Sequence, residues 1–98
     1  MRIKIHRAYR VVVGICDSDL LGKYFEEGIR QLNVRENFYN GEEVEEPDLI
    51  VQMQDLARED ATFNITGQES CQAALKAGII DKEGIKQIQG IPFALVLL

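Results

Sequence analysis

The sequence has no tryptophan, one histidine, two cysteines and two prolines in 98 residues. Cys16 and Cys71 lie far apart in the chain, too few for a disulfide framework or a zinc ribbon. With His6 as the lone imidazole, the usual zinc ligand sets cannot be assembled in one chain either. The expected state is two reduced, buried thiols, and no metal or cofactor. No apolar run approaches the roughly 18 to 20 residues needed to cross a bilayer, which excludes a membrane-spanning helix. The opening stretch MRIKIHRAYRVVVGIC interrupts its apolar residues with basic ones where a signal peptide requires a continuous apolar core, so a cytoplasmic location is expected. Also absent are the phosphate-binding patterns G-x-x-x-x-G-K and G-x-G-x-x-G and the D-x-D-x-D-G spacing of a calcium loop. No acid–base pair or nucleophile with a base can be assembled from the sequence, so no catalytic residue is assigned.

The chain does have charge, and it is unevenly spread. Net charge is −5. Residues 1–16 carry Arg2, Lys4, Arg7 and Arg10 without an acid, whereas residues 36–60 carry nine acids against Arg58 alone. Such asymmetry permits a basic face on an acidic protein, and equally permits the two regions to attract each other in the fold.

Length and patterning point to one domain spanning residues 1–98. RIKIHRA and RVVVGIC are β-branched runs separated by a short link and read as an N-terminal hairpin, with Ile3 and Ile5 on one face and Arg2, Lys4 and His6 on the other. DSDLLGKYF reads as one helical turn capped by Asp17 or Ser18 and ended by Gly22, GIRQLNV as a strand, and Asn40-Gly41 as a hairpin turn. In EEPDLIVQMQDLARED, Pro47 suits a first helical position and acids gather at the positive end of the helix dipole, while Leu49, Ile50, Met53, Leu56 and Ala57 share a face. ATFNITG is extended. A helix follows from Gln68 to Ala77 with Gly78 as its stop and Cys71, Ala74, Leu75 and Gly78 as its inner stripe. IIDKEGIKQIQG reads as a turn and short strand, and Phe93 to Leu98 is an apolar run that belongs within a sheet or under a partner. The fold class expected is α+β, a two-layer α/β sandwich with a mainly antiparallel sheet and two to three helices on one face.

The pieces ICDSDLLGKYFEEG, LNVRENFYNGEEV, FNITGQESCQAALKAGIID and IQGIPFALV, in this order across nearly the whole chain, resemble the archaeal proteins grouped as domain-of-unknown-function family 424. The resemblance implies a single compact α/β domain in the archaeal cytoplasm and an association with translation or other RNA-related machinery. It also implies a departure: the family often carries a histidine after the GIP segment, where this chain has Phe93.

Two segments are candidates for binding. Arg2, Lys4 and His6 on one strand face, with Arg7, Tyr9 and Arg10 around the turn, would meet RNA phosphates while the tyrosine stacks on a base. The alternative is a solvated edge whose charges discourage strand pairing. In TGQES, the helix N-terminus with Thr66, Gly67, Gln68 and Ser70 would cradle an anion. Against that stands a capping box in which Thr66 and Glu69 satisfy each other's backbone amides. His6 reads as a surface histidine, NGEEVEEPD as a solvated acidic run, and the glycosylation acceptor pattern at Asn64 as inert without a secretory route. Three functions follow from these features. They are a non-catalytic module contacting RNA or a ribonucleoprotein component, a protein-interaction or homo-oligomeric adaptor using the C-terminal apolar strand, and a small-molecule or anion-binding protein using residues 66–70.

Overall fold

The computed structural model describes residues 1–97, so the expectation for Leu98 lies outside the described residues. Among the described residues, eight strands and three α-helices are arranged in an α+β fold. Strands β1 (Arg2–Arg7) and β2 (Val11–Cys16) form the expected antiparallel hairpin, with Ile3 opposite Ile15 and Ile5 opposite Val13. A separate two-stranded hairpin follows, β3 (Tyr24–Glu27) and β4 (Arg30–Asn33). Then come the single turn α1 (Glu36–Tyr39), the short β5 (Glu42–Glu43), α2 (Glu46–Arg58), β6 (Thr62–Thr66), α3 (Gln68–Ala77), β7 (Lys86–Ile88) and β8 (Ile91–Val96). The main sheet runs β5-β1-β2-β6-β8-β7. Every pairing in it is antiparallel except β2 with β6, which is parallel because a long crossover containing β3 to α2 separates them.

Strand alternation divides the sheet into two unlike faces. Ile3, Val13, Ile15, Phe63 and Ile65 point to one side and pack against Leu49, Met53 and Leu56 of α2 and Cys71, Ala73 and Ala74 of α3. Each fully buried side chain of Phe63 or Ile65 size contributes on the order of 1.5–3 kcal/mol. The alternate residues face the other way, and there the chain adds a smaller layer made of α1 and the β3/β4 hairpin. Cys16, Leu20, Leu32, Val34, Tyr39 and Ile88 form this second apolar cluster.

Both long helices start and stop where their punctuation says. Pro47 occupies the first turn of α2, and Gly78 adopts the left-handed conformation that ends α3. The buried face of α3 is rotated from the expected stripe: Ser70, Cys71, Ala73 and Ala74 are buried, while Leu75 is half-buried and Gly78 exposed. The turn after Cys16 is a 3-10 turn over Ser18–Leu20, and the segment from Tyr24 is a strand, not helix. Asn40-Gly41 does not reverse a hairpin. Asn40 closes α1, and Gly41 is glycine because a Cβ there would collide with the carbonyl of Ile3.

Candidate nucleic-acid interface

The basic side of β1 meets α1, not solvent. A four-residue helix leaves its carbonyls without intrahelical partners, and cations near that end satisfy them. Lys4 Nζ donates to the carbonyl of Asn37 at 2.9 Å, and His6 Nε2 lies 2.9 Å from the carbonyl of Phe38. A carbonyl can only accept, so Nε2 carries the proton. The His6 ring also stacks on Phe38 at 4.7 Å between centroids, and Phe38 meets Tyr39 edge-on at 4.9 Å. Arg2 donates through Nη1 to Asn40 Oδ1 at 3.5 Å and pairs through Nη2 with Glu43 at 3.2 Å. Gly14 makes this approach feasible, since a Cβ on it would stand 2.6 Å from the carbonyl oxygen of Phe38.

Of the six residues expected to form a nucleic-acid surface, the structure therefore directs Arg2, Lys4 and His6 onto the protein's own α1 and β5. Arg7 pairs with Glu59 at 3.2 Å, an exposed contact worth at most about 1 kcal/mol. Tyr9 and Arg10 stand exposed at the hairpin tip, Tyr9 at 99%. Between the two readings of the charge asymmetry, Arg2–Glu43 and Arg7–Glu59 realise mutual attraction.

The turn at residues 66–70 is capped, but by a distant residue. Asp17, at the end of β2, accepts from the amide of Glu69 at 3.1 Å, the amide of Ser70 at 2.8 Å and the hydroxyl of Ser70 at 2.7 Å. Its own amide donates to the carbonyl of Thr66 at 3.0 Å. The carboxylate thus holds the position an anion would take at the helix N-terminus, which corrects both the anion site and the reciprocal Thr66–Glu69 box. Gly67 is the cap residue at φ 114°, and a Cβ there would run into the Asp17 carboxylate. Gln68 is exposed, Ser70 is fully buried, and the Thr66 hydroxyl lies 3.3 Å from that of Tyr39. Ser70 must face Asp17, which accounts for the rotated inner stripe of α3.

Burial sets the chemistry of the cysteines, and Asp17 reinforces it. Both are free and buried, as the sequence implied. Burial first, and the negative charge of Asp17 second, push each thiol up to about 11, so neither is a thiolate nucleophile near neutral pH. Burial likewise pushes the Tyr39 hydroxyl upward. Among the described residues, no three His, Cys, Asp or Glu side chains converge as a metal site.

What the sequence did not reveal is a cleft of about 300 Å³ where α1 and the end of β4 overhang the main sheet. Val12, Asn33, Arg35, Phe38, Tyr39 and Asn64 line it. Asn64 sits in a row between Gly14 of β2 and Leu95 of β8, on the sheet face that carries α1. Among the described residues, the Arg35 guanidinium has no carboxylate within ion-pair distance, in contrast to Arg2, Arg7 and Arg58. On the same face, Arg30 lies over the ring of Phe93 at 5.7 Å, a cation–π contact. Leu95, opposite Asn64, and Leu97, just past the end of β8, are 56% and 71% exposed. The one hint in the sequence was the polar alternation Thr62, Asn64, Thr66 across Phe63 and Ile65, which marks a face not filled with hydrocarbon. Asn33 and Arg35 lie some thirty residues from Asn64, and each reads alone as ordinary surface.

A larger depression of about 560 Å³ lies on the other side of the sheet, between the C-terminal ends of α2 and α3. Its cation, Arg58, is held by Asp55 at 2.6 Å, and its amide, Gln54, donates to the carbonyl of Ala77 at 3.3 Å. Size favours that depression; unengaged polar groups favour the smaller cleft.

With this geometry in hand, comparison with known proteins is decisive on kinship. The family model described as "Protein of unknown function (DUF424)" matches residues 5–98. The chain belongs to this family. Among solved structures, the DUF424 chain is similar to one described as an uncharacterized conserved protein from Methanopyrus kandleri, at 26% identity and a TM-score of 0.84, over 98% of this chain and 90% of that one. No curated protein matches. The position at which the family resemblance implies a histidine is Phe93, half-buried beneath Arg30, so this member has no imidazole there. No helix among the described residues is long and apolar enough to cross a membrane.

Proposed function

We propose that this DUF424 protein is a non-catalytic module of the archaeal cytoplasm that contacts single-stranded RNA, free or within a ribonucleoprotein. The contact surface is the sheet face bearing the cleft. The observation that carries the reading is the Arg35 guanidinium, without an acidic partner, at the rim of a cleft walled by an aromatic ring and two carboxamides. Arg30 stands on the same face, and Arg10 and Tyr9 precede Val12 of the cleft by two and three residues. This moves the expected interface along one sheet face, from the part of β1 covered by α1 to the cleft beside it, and keeps Tyr9 and Arg10 as flanking contacts. RNA suits it because unstacked bases present flat apolar faces with polar edges beside phosphates. With a net charge of −5, attraction is local, so binding is weak and steeply salt-dependent. Fluorescence anisotropy with a short single-stranded RNA at low salt should show binding that weakens with added salt. Arg35→Glu should reduce it about tenfold or more, equivalent to at least about 1.4 kcal/mol. Failure of the unaltered protein to bind at low salt overturns the reading.

The exposed Leu95 and Leu97 favour a second reading, self-association through the C-terminal strand. Light scattering behind size exclusion should then report a dimer that Leu95→Glu converts to monomer, and a monomeric unaltered protein removes the idea.

A further inference from the structure

We propose that the cleft between α1 and β4 takes one unstacked nucleobase of a bound strand, read along its polar edge by the carboxamides of Asn33 and Asn64, with Arg35 on the adjoining phosphate. The proposal rests on the RNA reading above and adds to it a site, a ligand class and a division of labour among named residues. Most polar groups on this face are engaged within the protein. Lys4, His6 and Arg2 are engaged by α1 and β5, and the Thr66 hydroxyl lies within hydrogen-bond distance of Tyr39. The carboxamide of Asn40 accepts from Arg2. Among the described residues the carboxamides of Asn33 and Asn64 have no hydrogen-bond partner, and neither has the Arg35 guanidinium, yet all three line the same cleft. Asn33 and Arg35 are exposed and Asn64 half-buried, so solvent satisfies these groups in the free protein and they stand available, from β4, β6 and the start of α1, to a ligand with matching donors and acceptors.

The walls specify what kind of ligand. Val12 gives an apolar floor, and Phe38 gives an aromatic wall fixed from behind by the His6 ring, whose plane lies 17° from its own. An apolar side chain and an aromatic ring are the surfaces on which a flat heterocycle packs. Each carboxamide offers both a donor and an acceptor, the pairing that base edges require. Both amides stand on strands, so their positions are set by the sheets rather than by loops. Arg35 follows Asn33 by two residues at the cap position of α1, which places a cation where the sugar-phosphate of an inserted base would emerge. A volume of about 300 Å³ lies at the lower end of small-ligand sites, enough for one base and not for a stack.

The test separates base from phosphate. Anisotropy titrations of the full chain use a short single-stranded RNA and an abasic strand of the same length and charge. The unaltered protein should bind the abasic strand about tenfold more weakly. Asn64→Ala should weaken binding to the base-bearing strand about tenfold while leaving abasic binding and the salt slope unchanged. Arg35→Gln should weaken both and make the slope shallower by about one unit. Equal affinity for the two strands overturns the base pocket and leaves the RNA reading standing; absence of binding to both overturns the RNA reading as well. Should Asn64→Ala fail to fold, the side-chain amide resonances of Asn33 and Asn64 in the unaltered protein decide the matter. They should shift with the base-bearing strand and stay in place with the abasic one, and shifts that are the same for both strands overturn the proposal.

Discussion

Asp17 shows how one residue can do work that its local sequence assigns elsewhere. By sequence it caps the short turn that follows it, and Glu69 caps α3. In the structure Asp17 accepts three hydrogen bonds from α3, and Glu69 is exposed and takes part only through its backbone amide. Hydrogen bonds to a charged acceptor are worth about 1.5–3 kcal/mol each, but removing the carboxylate lets water reach only the exposed side of the turn. Asp17→Ala should therefore cost about 2–4 kcal/mol, and Glu69→Gln less than about 0.5 kcal/mol. For a domain of this size, each kcal/mol lowers the melting temperature by roughly 4–8 °C, so calorimetry separates the two. A larger loss in Glu69→Gln than in Asp17→Ala would restore the local capping box. The sequence could not display this contact because the partners are 53 residues apart, and nothing in T-x-x-E patterning marks which carboxylate arrives first.

At the level of elements, legibility followed length. α2 and α3 were readable because Pro47, Gly78 and a sustained apolar periodicity agreed, and the β1/β2 hairpin because its β-branched runs alternate. α1 has four residues and no periodicity, and the Asn40-Gly41 dipeptide beside it carries a local turn signal that a tertiary contact with Ile3 overrides. The cleft was illegible for the same reason: it exists only because α1 is drawn onto β1 and β2. Gly14 is where this attraction is most exposed to test. Gly14→Ala would place a methyl group 2.6 Å from the Phe38 carbonyl oxygen and 2.9 Å from its ring. Overpacking of this kind costs typically 1–3 kcal/mol. Hydrogen exchange should show faster exchange at Phe38 and Tyr39 in the variant, while α3 keeps its local protection. Unchanged exchange at α1 would mean that the cations of β1, not the missing side chain, set its position.

Across the whole molecule, buried thiols tie stability to alkaline pH. Cys16 sits in the smaller apolar cluster and Cys71 in the larger one, and both titrate near 11 in the folded chain against 9.0 when exposed. The native state therefore holds these protons more tightly than the unfolded state, so their contribution is complete below pH 9 and is lost as pH rises from 9 towards about 11. Urea midpoints should fall across that interval. Cys16→Ala should flatten the fall, and a thiol-specific reagent should label neither cysteine in the native protein at pH 8. Rapid labelling of either thiol there would contradict their burial.

The clasp from Asp17 to Ser70 also governs how the chain can assemble. It joins segments separated by β3, β4, α1, β5, α2 and β6, and it stands at the end of the parallel β2–β6 pair. The two hairpins at β1/β2 and β3/β4 need only neighbouring residues to form. The parallel pair has no such local start, because loop closure over some fifty residues must precede its first backbone bond. Residue 17 must therefore meet residue 69 before α3 gains its cap, which makes the start of that helix a consequence of a long-range encounter instead of a seed for it.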